Sequence, residues 1–214
     1  MLLGITPGEQ QANAAIQEAR RALQQGVSDT EVLARAKVHA SFAGQMRTNL
    51  VAMLDGIGLA KALGIHSCAS LWGRNSNLVQ FASALRFPVF SDSKNYSGRS
   101  PAITRSAVLR EQLQLFTAPE LAQIPNALVF PLGPAVAEAC AWLVKEGLLD
   151  EERVAAGLPH PSPASNERIA FFLGRKEERD LSRQVVPEKI IEGRKAVMEV
   201  VARWAAENAG RKEE

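Results

Sequence analysis

The stretch Leu158-Pro159-His160-Pro161-Ser162-Pro163-Ala164-Ser165 is the most informative part of the chain for its fold. Its three prolines restrict the backbone around a histidine and two hydroxyl side chains, just before residues that predict a helix. A loop of this stiffness can hold a hydrogen-bond donor in one place. The residues alone leave a second interpretation open, in which the loop is a proline-rich connection and His160 lies at the surface or is a satisfied buried side chain.

A second loop of interest lies near the start, in Gly4-Ile5-Thr6-Pro7-Gly8-Glu9-Gln10-Gln11. A strand, a glycine turn and a helix start can present backbone N–H groups and a positive helix end to an anion. No Walker lysine follows, and such turns are also common as plain connections. The first strand is either very short, or the natural protein begins further upstream.

The remaining sequence alternates between helical and strand patterns. Short apolar runs at residues 78–85 and 127–130 predict strands. Apolar residues at helical spacing predict helices over residues 10–25, 28–42, 50–64, 104–116, 166–173 and 190–204, and another from Pro134. This alternation predicts an α/β fold with a parallel sheet, whose ligands bind at the carboxyl ends of the strands. We expect one domain over residues 1–214, with a frayed tail at residues 208–214.

Composition narrows the class of protein. The net charge of +2, from 25 basic and 23 acidic residues, is too balanced to imply a polyanion partner, so any nucleic-acid site must be a local patch. Cys68 and Cys140 lack metal-ligand spacing and are expected to be buried thiols in a reducing compartment. His39 and His66 have no polar cluster around them, so we expect structural or solvent-facing side chains. No apolar run is long enough for a membrane span, and we expect a cytoplasmic protein.

The two loops together resemble the uracil-DNA glycosylase superfamily. Residues 160–165 are similar to its His-Pro-Ser-Pro-x-Ser motif, and residues 4–8 are similar to its Gly-x-(Asn or Asp)-Pro-(Gly or Tyr) motif, in the same order. Residues 129–137 also resemble the strand, Leu-Gly turn and helix that precede the second motif. The resemblance spans roughly residues 2–176 and is closest to a bacterial branch. It implies a three-layer α/β/α sandwich around a central parallel four-stranded sheet.

The resemblance also implies roles for individual residues. His160 would donate a hydrogen bond to the base oxygen as negative charge develops on the leaving base, and Thr6 stands at the position that handles the attacking water. The base pocket would comprise Gly4, Ile5, Pro7, Gly8, Phe81 and Ser83. The DNA backbone would be held by Pro161, Ser162, Pro163, Ser165 and Arg168. DNA is the implied partner, the protein is expected to act as a monomer, and no metal or organic cofactor is expected.

Thr6 is the main departure from the family pattern, because many relatives have Asp or Asn there. A threonine cannot act as a general base near neutral pH. Glu9, Gln11 and Asp92 are possible replacements, and the sequence does not choose among them. Tyr96, Asn95 and Asn166 are further candidates for reading the base, although Asn166 could simply cap the helix that begins there.

A cluster of basic residues follows the second motif, where DNA would lie. Acidic residues interleave with it, so a solvated helix face is the alternative interpretation. The basic residues are Arg168, Arg175, Lys176, Arg179 and Arg183, and the acidic ones are Glu167, Glu177, Glu178 and Asp180.

Three functions are therefore compatible with the sequence. The leading hypothesis is a DNA glycosylase that hydrolyses the N-glycosidic bond of a flipped, deaminated base, with uracil as the expected target. The second is a catalytically weak or inactive protein of the same fold that binds damaged DNA or nucleobases. The third is an unrelated α/β enzyme that binds the phosphate of a small molecule.

Overall fold

The computed structural model describes residues 1–91 and 93–210, and the side chains of residues 1–91 and 93–208. Three parallel strands form its main sheet: β1 (Leu2–Gly4), β2 (Phe81–Ser83) and β5 (Phe130–Pro131), in the order β2-β1-β5. Leu2 lies opposite Phe81 on one side and Phe130 on the other. A separate antiparallel hairpin joins β3 (Phe90–Ser91) to β4 (Lys94–Asn95).

Helices surround the sheet in the described part of the chain. Their order along the sequence is α1 (Glu9–Gln24), α2 (Asp29–Ala40), α3 (Gln45–Gly56), α4 (Leu59–Leu63), α5 (Ala107–Gln112), α6 (Ala118–Ala122), α7 (Pro134–Lys145), α8 (Asn166–Phe172) and α9 (Pro187–Gly210). A π-helical turn at Leu113–Thr117 joins α5 to α6. The mixed α/β architecture predicted from the sequence is thus confirmed.

Two hydrophobic cores lie against opposite faces of the sheet, because successive strand residues point to opposite sides. Leu2, Phe81 and Phe130 face a core that α3, α4, α8 and α9 complete. Leu3 and Ala82 face a second core that includes residues of α5, α6 and α7. Cys68 belongs to the first core and Cys140 to the second, so the expectation of buried thiols is confirmed.

The expectation of a four-stranded parallel sheet is wrong for the described residues, whose parallel sheet has three strands. Beside β5, the chain makes only an isolated parallel bridge between Val129 and Val154. The chain cannot extend that pairing far, because Pro131 has no N–H to donate and Gly157 leaves the strand conformation with φ at 131°. A Cβ at Gly157 would lie 2.1 Å from the Gly193 carbonyl oxygen, so α9 occupies the adjoining space.

The helix and strand boundaries differ from the sequence expectations where elements are short. The run expected to form a strand at residues 78–85 starts with a 3₁₀ turn at Ser76–Leu78, and only Phe81–Ser83 forms regular strand. The helix expected at residues 104–116 begins later, at Ala107, and continues through the π-helical turn. Among the described residues, no helix combines the length and hydrophobicity that a membrane span requires.

Candidate functional site

A cavity of about 860 Å³ opens at the carboxyl ends of the three parallel strands. Gly4 ends β1, Ser83 ends β2, and Leu132 follows β5 directly, and all three residues line the cavity. Small-molecule sites commonly fall between about 300 and 1,000 Å³ and lie at this edge of parallel sheets. The position and size of the cavity therefore fit a ligand site.

The first loop forms one wall of the cavity, and Thr6 fastens it to a neighbouring segment. The Thr6 hydroxyl donates to the Phe87 carbonyl oxygen at 2.9 Å and accepts from the Val89 backbone N–H at 3.0 Å. A hydroxyl has one proton and two lone pairs, so only one lone pair is left for a ligand or water. Thr6 lines the cavity, but its proton is committed to the protein backbone.

An aromatic wall comes from Phe42, which lies in the connection between α2 and α3 and adopts a positive φ of 50°. A bulky residue rarely takes this conformation, and such strain clusters at functional sites. The ring lies so close to the end of β1 that a Cβ at Gly4 would be 3.3 Å from Phe42 Cε1. Glycine at position 4 therefore allows the ring to approach the strand end.

The connection that carries Phe42 is held by two side chains. The Arg47 guanidinium donates to the carbonyl oxygens of His39 at 2.7 Å and Ser41 at 3.1 Å. The Trp72 indole N–H donates to the same Ser41 oxygen at 2.9 Å. These bonds satisfy carbonyl groups that the end of α2 leaves without helical partners, and they fix the wall before any ligand arrives.

His160 lines the cavity with a defined tautomer. Its Nδ1 accepts from the Ser162 backbone N–H at 3.2 Å, so the neutral ring carries its proton on Nε2 and can donate from that atom. Burial lowers the pKa of His160 below its ordinary value. The neutral form is therefore favoured, and it presents one N–H donor.

Gly133 fixes the opposite side of the same ring. Its φ is 91°, and a Cβ placed there would lie 3.0 Å from His160 Cδ2 and 3.1 Å from His160 Cβ. The Leu-Gly turn predicted from the sequence thus serves His160 directly, because only glycine combines this backbone conformation with this contact.

The His160 loop is anchored from α3 by Asn49, a polar side chain with only 9% of its surface exposed. The Asn49 amide donates to the Pro161 carbonyl oxygen at 2.9 Å and to Asn166 Oδ1 at 3.0 Å, and its oxygen accepts from Gln45 at 2.9 Å. This network holds both the loop and the start of α8. Asn166 is therefore occupied in the scaffold and does not line the cavity.

The last wall is the segment from Asn95 to Arg99. Gly98 packs tightly on α7, since a Cβ there would be 2.4 Å from Ala135 Cβ, and its φ of 83° also favours glycine. Tyr96 is buried and donates its hydroxyl proton to the Pro101 carbonyl oxygen. Burial and the nearby Glu138 carboxylate raise the pKa of Tyr96. Tyr96 is a fixed wall, and the polar side chains of this segment that line the cavity belong to Asn95, Ser97 and Arg99.

The charged side chains around the cavity are mostly basic. Lys37, Arg99 and Arg168 line it, and Glu138 is the one carboxylate among the described lining residues. This distribution favours an anionic ligand such as a phosphate, although the whole chain is nearly neutral.

Comparison with known proteins places the chain in a family. The uncharacterized protein YoxB of Bacillus subtilis (strain 168) is 37% identical over 186 residues, which cover 86% of this chain and 72% of YoxB. The chain belongs to the YoxB family. No family model and no solved structure matches it.

The fold brings most residues of the two predicted loops to one cavity in this YoxB-family protein. Pro7, Pro161 and Pro163 do not line it. Phe81 is 3% exposed and is mainly a core residue, with its ring centroid 4.9 Å from that of Trp72 and the two rings tilted by 36°. The predicted residues that do line the cavity are Gly4, Ile5, Thr6, Gly8, Phe81, Ser83, His160, Ser162, Ser165 and Arg168.

The three residues considered as replacements for the missing acid at position 6 differ in their positions relative to the cavity. Gln11 lines the cavity, whereas Glu9 is exposed and does not. Asp92 lies outside the described residues.

In the basic cluster, Glu167 forms an ion pair with Lys176 and so reduces the net positive charge of the cluster. It accepts from Lys176 at 2.7 Å and from the Ser182 hydroxyl and backbone N–H, which lowers the pKa of Glu167 to about 2. Arg168 donates to the Gln184 carbonyl oxygen at 3.1 Å and still lines the cavity.

Sequence reasoning missed Phe42, Asn49, Arg99 and Glu138. Phe42 and Asn49 carry no local signal, since their roles depend on contacts with residues far along the chain. Arg99 lies in the polar segment that the sequence marks as an extended loop. Glu138 was detectable in principle, because it lies one helical turn beyond Pro134 and Ala135 on the helix predicted to start there.

Proposed function

We propose that this protein is a DNA glycosylase, which hydrolyses the N-glycosidic bond of a deaminated base flipped out of DNA, with uracil as the first candidate. The observation that carries the proposal is His160. Gly133 and Ser162 hold it as a neutral Nε2–H donor, in a basic cavity that also contains the first loop. A fixed donor of this kind stabilises the negative charge that develops on a departing base oxygen.

The cavity walls match the parts of a base and its sugar phosphate. The Phe42 ring offers an apolar face on which a base can stack, and Ser83 and Asn95 offer polar groups for the base edge. Arg99 and Arg168 supply positive charge for the DNA phosphates. Phe42 has a strained backbone conformation, and the Arg47 bond to the His39 carbonyl oxygen holds the connection that carries Phe42. Both observations support a site that is formed before DNA binds.

The proposal includes the finer description of the fold as a uracil-DNA glycosylase-like α/β/α sandwich. The parallel order β2-β1-β5 supports it, because it brings the loops after β1 and β2 and the turn after β5 to one edge of the sheet. We propose that the protein acts on DNA as a monomer.

The test is a panel of oligonucleotides, single- and double-stranded, that contain uracil, hypoxanthine or xanthine. Abasic sites are revealed by alkaline strand cleavage after incubation with excess protein. We expect abasic product with at least one of these bases and none with the matched undamaged oligonucleotide. No abasic product with any member of the panel, after long incubation, contradicts the proposed activity.

A second candidate, a protein that binds damaged DNA without turnover, is favoured by the state of Thr6. Its hydroxyl is tied to the backbone of residues 87–89 and cannot act as a base. Thr6→Asn is the informative substitution, because the amide can keep both backbone bonds and still has a second N–H and a second lone pair with which to orient a water. Fluorescence anisotropy measures binding, and the abasic-site assay measures base release. Tight, uracil-dependent binding by wild type without base release, together with release by Thr6→Asn, would establish this alternative.

A further inference from the structure

The proposed reaction needs a group that takes a proton from water, and the first loop does not supply it. Thr6 donates its proton to the Phe87 oxygen, and neither Ser83 nor Asn95 is a base near neutral pH. Among the described residues that line the cavity, Glu138 is the one carboxylate. This inference rests on the proposed glycosylase function and adds a catalytic residue to it.

Helix α7 places Glu138 at the cavity. The helix begins at Pro134, directly after Gly133, and Pro134, Ala135 and Glu138 share a helical stripe that lines the cavity. Side chains in helices lean toward the N-terminus, which here points to the carboxyl edge of the sheet. Glu138 lies roughly 6 Å along the helix from Pro134, while His160 contacts the residue just before the helix.

The Glu138 side chain is both held and accessible. Thr104 donates its hydroxyl proton to Glu138 Oε1, which fixes the carboxylate and leaves acceptor capacity on both oxygens. The residue is exposed, so water reaches it. The neighbouring wall packs on the same stripe of α7, since a Cβ at Gly98 would be 2.4 Å from Ala135 Cβ, and burial together with the Glu138 charge raises the pKa of Tyr96 in that wall.

We infer that Glu138 is the general base that activates the attacking water, in place of the acid missing at Thr6. The water oxygen forms a bond to the sugar C1′, and the bond between C1′ and the base nitrogen breaks, with its electron pair leaving on the base. Glu138 accepts one proton from the water. His160 Nε2–H stabilises the resulting base anion, which finally takes up a proton from solvent.

The experiment compares Glu138→Gln with Glu146→Gln, an exposed residue at the other end of the same helix that does not line the cavity. Glutamine keeps the acceptor for Thr104 but cannot take up a proton. Single-turnover base release is measured on the oligonucleotide that wild type cleaves. Kd is measured on a 2′-fluoro analogue of the same oligonucleotide, which resists cleavage. Thr104→Val tests the hold on the carboxylate, and added formate tests replacement of the carboxylate in Glu138→Ala.

We expect Glu138→Gln to slow release by about 10²- to 10⁴-fold with unchanged Kd. Glu146→Gln should match wild type, Thr104→Val should lose less than Glu138→Gln, and formate should speed the Glu138→Ala variant. Release by Glu138→Gln at the wild-type rate overturns the inference and leaves the proposed function intact. If Glu138→Gln loses rate and affinity by the same factor, the inference is also overturned, because the carboxylate then contributes to DNA binding and not to the activation of water. Absence of release by wild type removes the proposed function and the inference together.

Discussion

Substituting Gly133 with alanine perturbs His160 without removing any of its chemical groups. The new Cβ would lie 3.0 and 3.1 Å from two ring-side carbons of His160, where ordinary contacts begin at about 3.4 Å, so the imidazole must move by a few tenths of an ångström. The backbone adds a second cost, because φ is 91° and ψ is 167°, a region that only glycine occupies readily.

The backbone strain of Gly133→Ala is worth about 1–3 kcal/mol, which corresponds to a Tm lower by roughly 2–12 °C for a chain of this size. The displaced ring loses part of its bond to the Ser162 N–H and part of its burial. We therefore expect the pKa of His160 to rise toward its ordinary value. If the proposed function holds, base release falls by up to about 10²-fold, because small displacements of a catalytic donor are costly.

Gly147→Ala is the matched control. Gly147 also has a positive φ, 71°, but a Cβ there meets nothing within 4 Å. It should lower Tm through strain of about 1–2 kcal/mol and leave the His160 titration unchanged. Imidazole NMR signals of the chain's three histidines give the titrations, and a thermal melt gives the stability. If His160 titrates identically in Gly133→Ala and wild type, Gly133 does not position the ring.

The buried ring of His160, the hydrogen bonds of Asn49 and the ion pair of Glu167 each have a measurable consequence. Base release should stay constant above the pKa of His160 and fall as the pH drops through it, because a protonated Nδ1 opposes the Ser162 N–H. The stability that the neutral ring contributes is complete above its unfolded pKa of about 6.5 and is lost as the pH falls through the lower pKa of the folded state. His160→Asn should remove this dependence from both the rate profile and the stability profile. Asn49→Leu should lower the free energy of unfolding in urea by about 1–3 kcal/mol and slow base release, because the Pro161 carbonyl and Asn166 lose their partner. The control is Asn75→Leu, which removes one bond to Ser70 away from the cavity and should leave the rate unchanged. Because the pKa of Glu167 is lowered to about 2, the stability that its bonds contribute is complete above its unfolded pKa and is lost as the pH falls toward 2. Glu167→Gln should not show this loss of stability in thermal melts at acid pH. A loss of equal size in wild type and Glu167→Gln would show that Glu167 is not its source.

The loops were more predictable from the sequence than the elements that carry them. The prolines around His160 and the glycine at position 133 mark backbone conformations that few other residues allow, so their places in the chain are readable. The strands are only two or three residues long, and such short segments show too little alternation to define their ends. Pro131 was a sequence signal against a fourth strand beside β5, whereas the contact between Gly157 and Gly193 could not be read from the sequence.

The residues that complete the site were hidden for a different reason. Asn49 contacts Pro161, which lies 112 positions further along the chain, and Phe42 depends on the approach of Gly4. These contacts exist only once the helices have packed on the sheet. Thr6 was recognised as the unusual position, but its bonds to the Phe87 and Val89 backbone required the folded chain.

The role proposed for His160, to stabilise a departing base, is tested by measuring both products of the reaction. Free base and abasic oligonucleotide are quantified together under single-turnover conditions for wild type, His160→Asn and His66→Asn, with His66 as an exposed histidine outside the cavity. We predict equal amounts of free base and abasic product with wild type and His66→Asn, and release slower by about 10²- to 10³-fold with His160→Asn. Equal rates for the wild type and both variants would contradict the claim, as would the absence of free base with wild type.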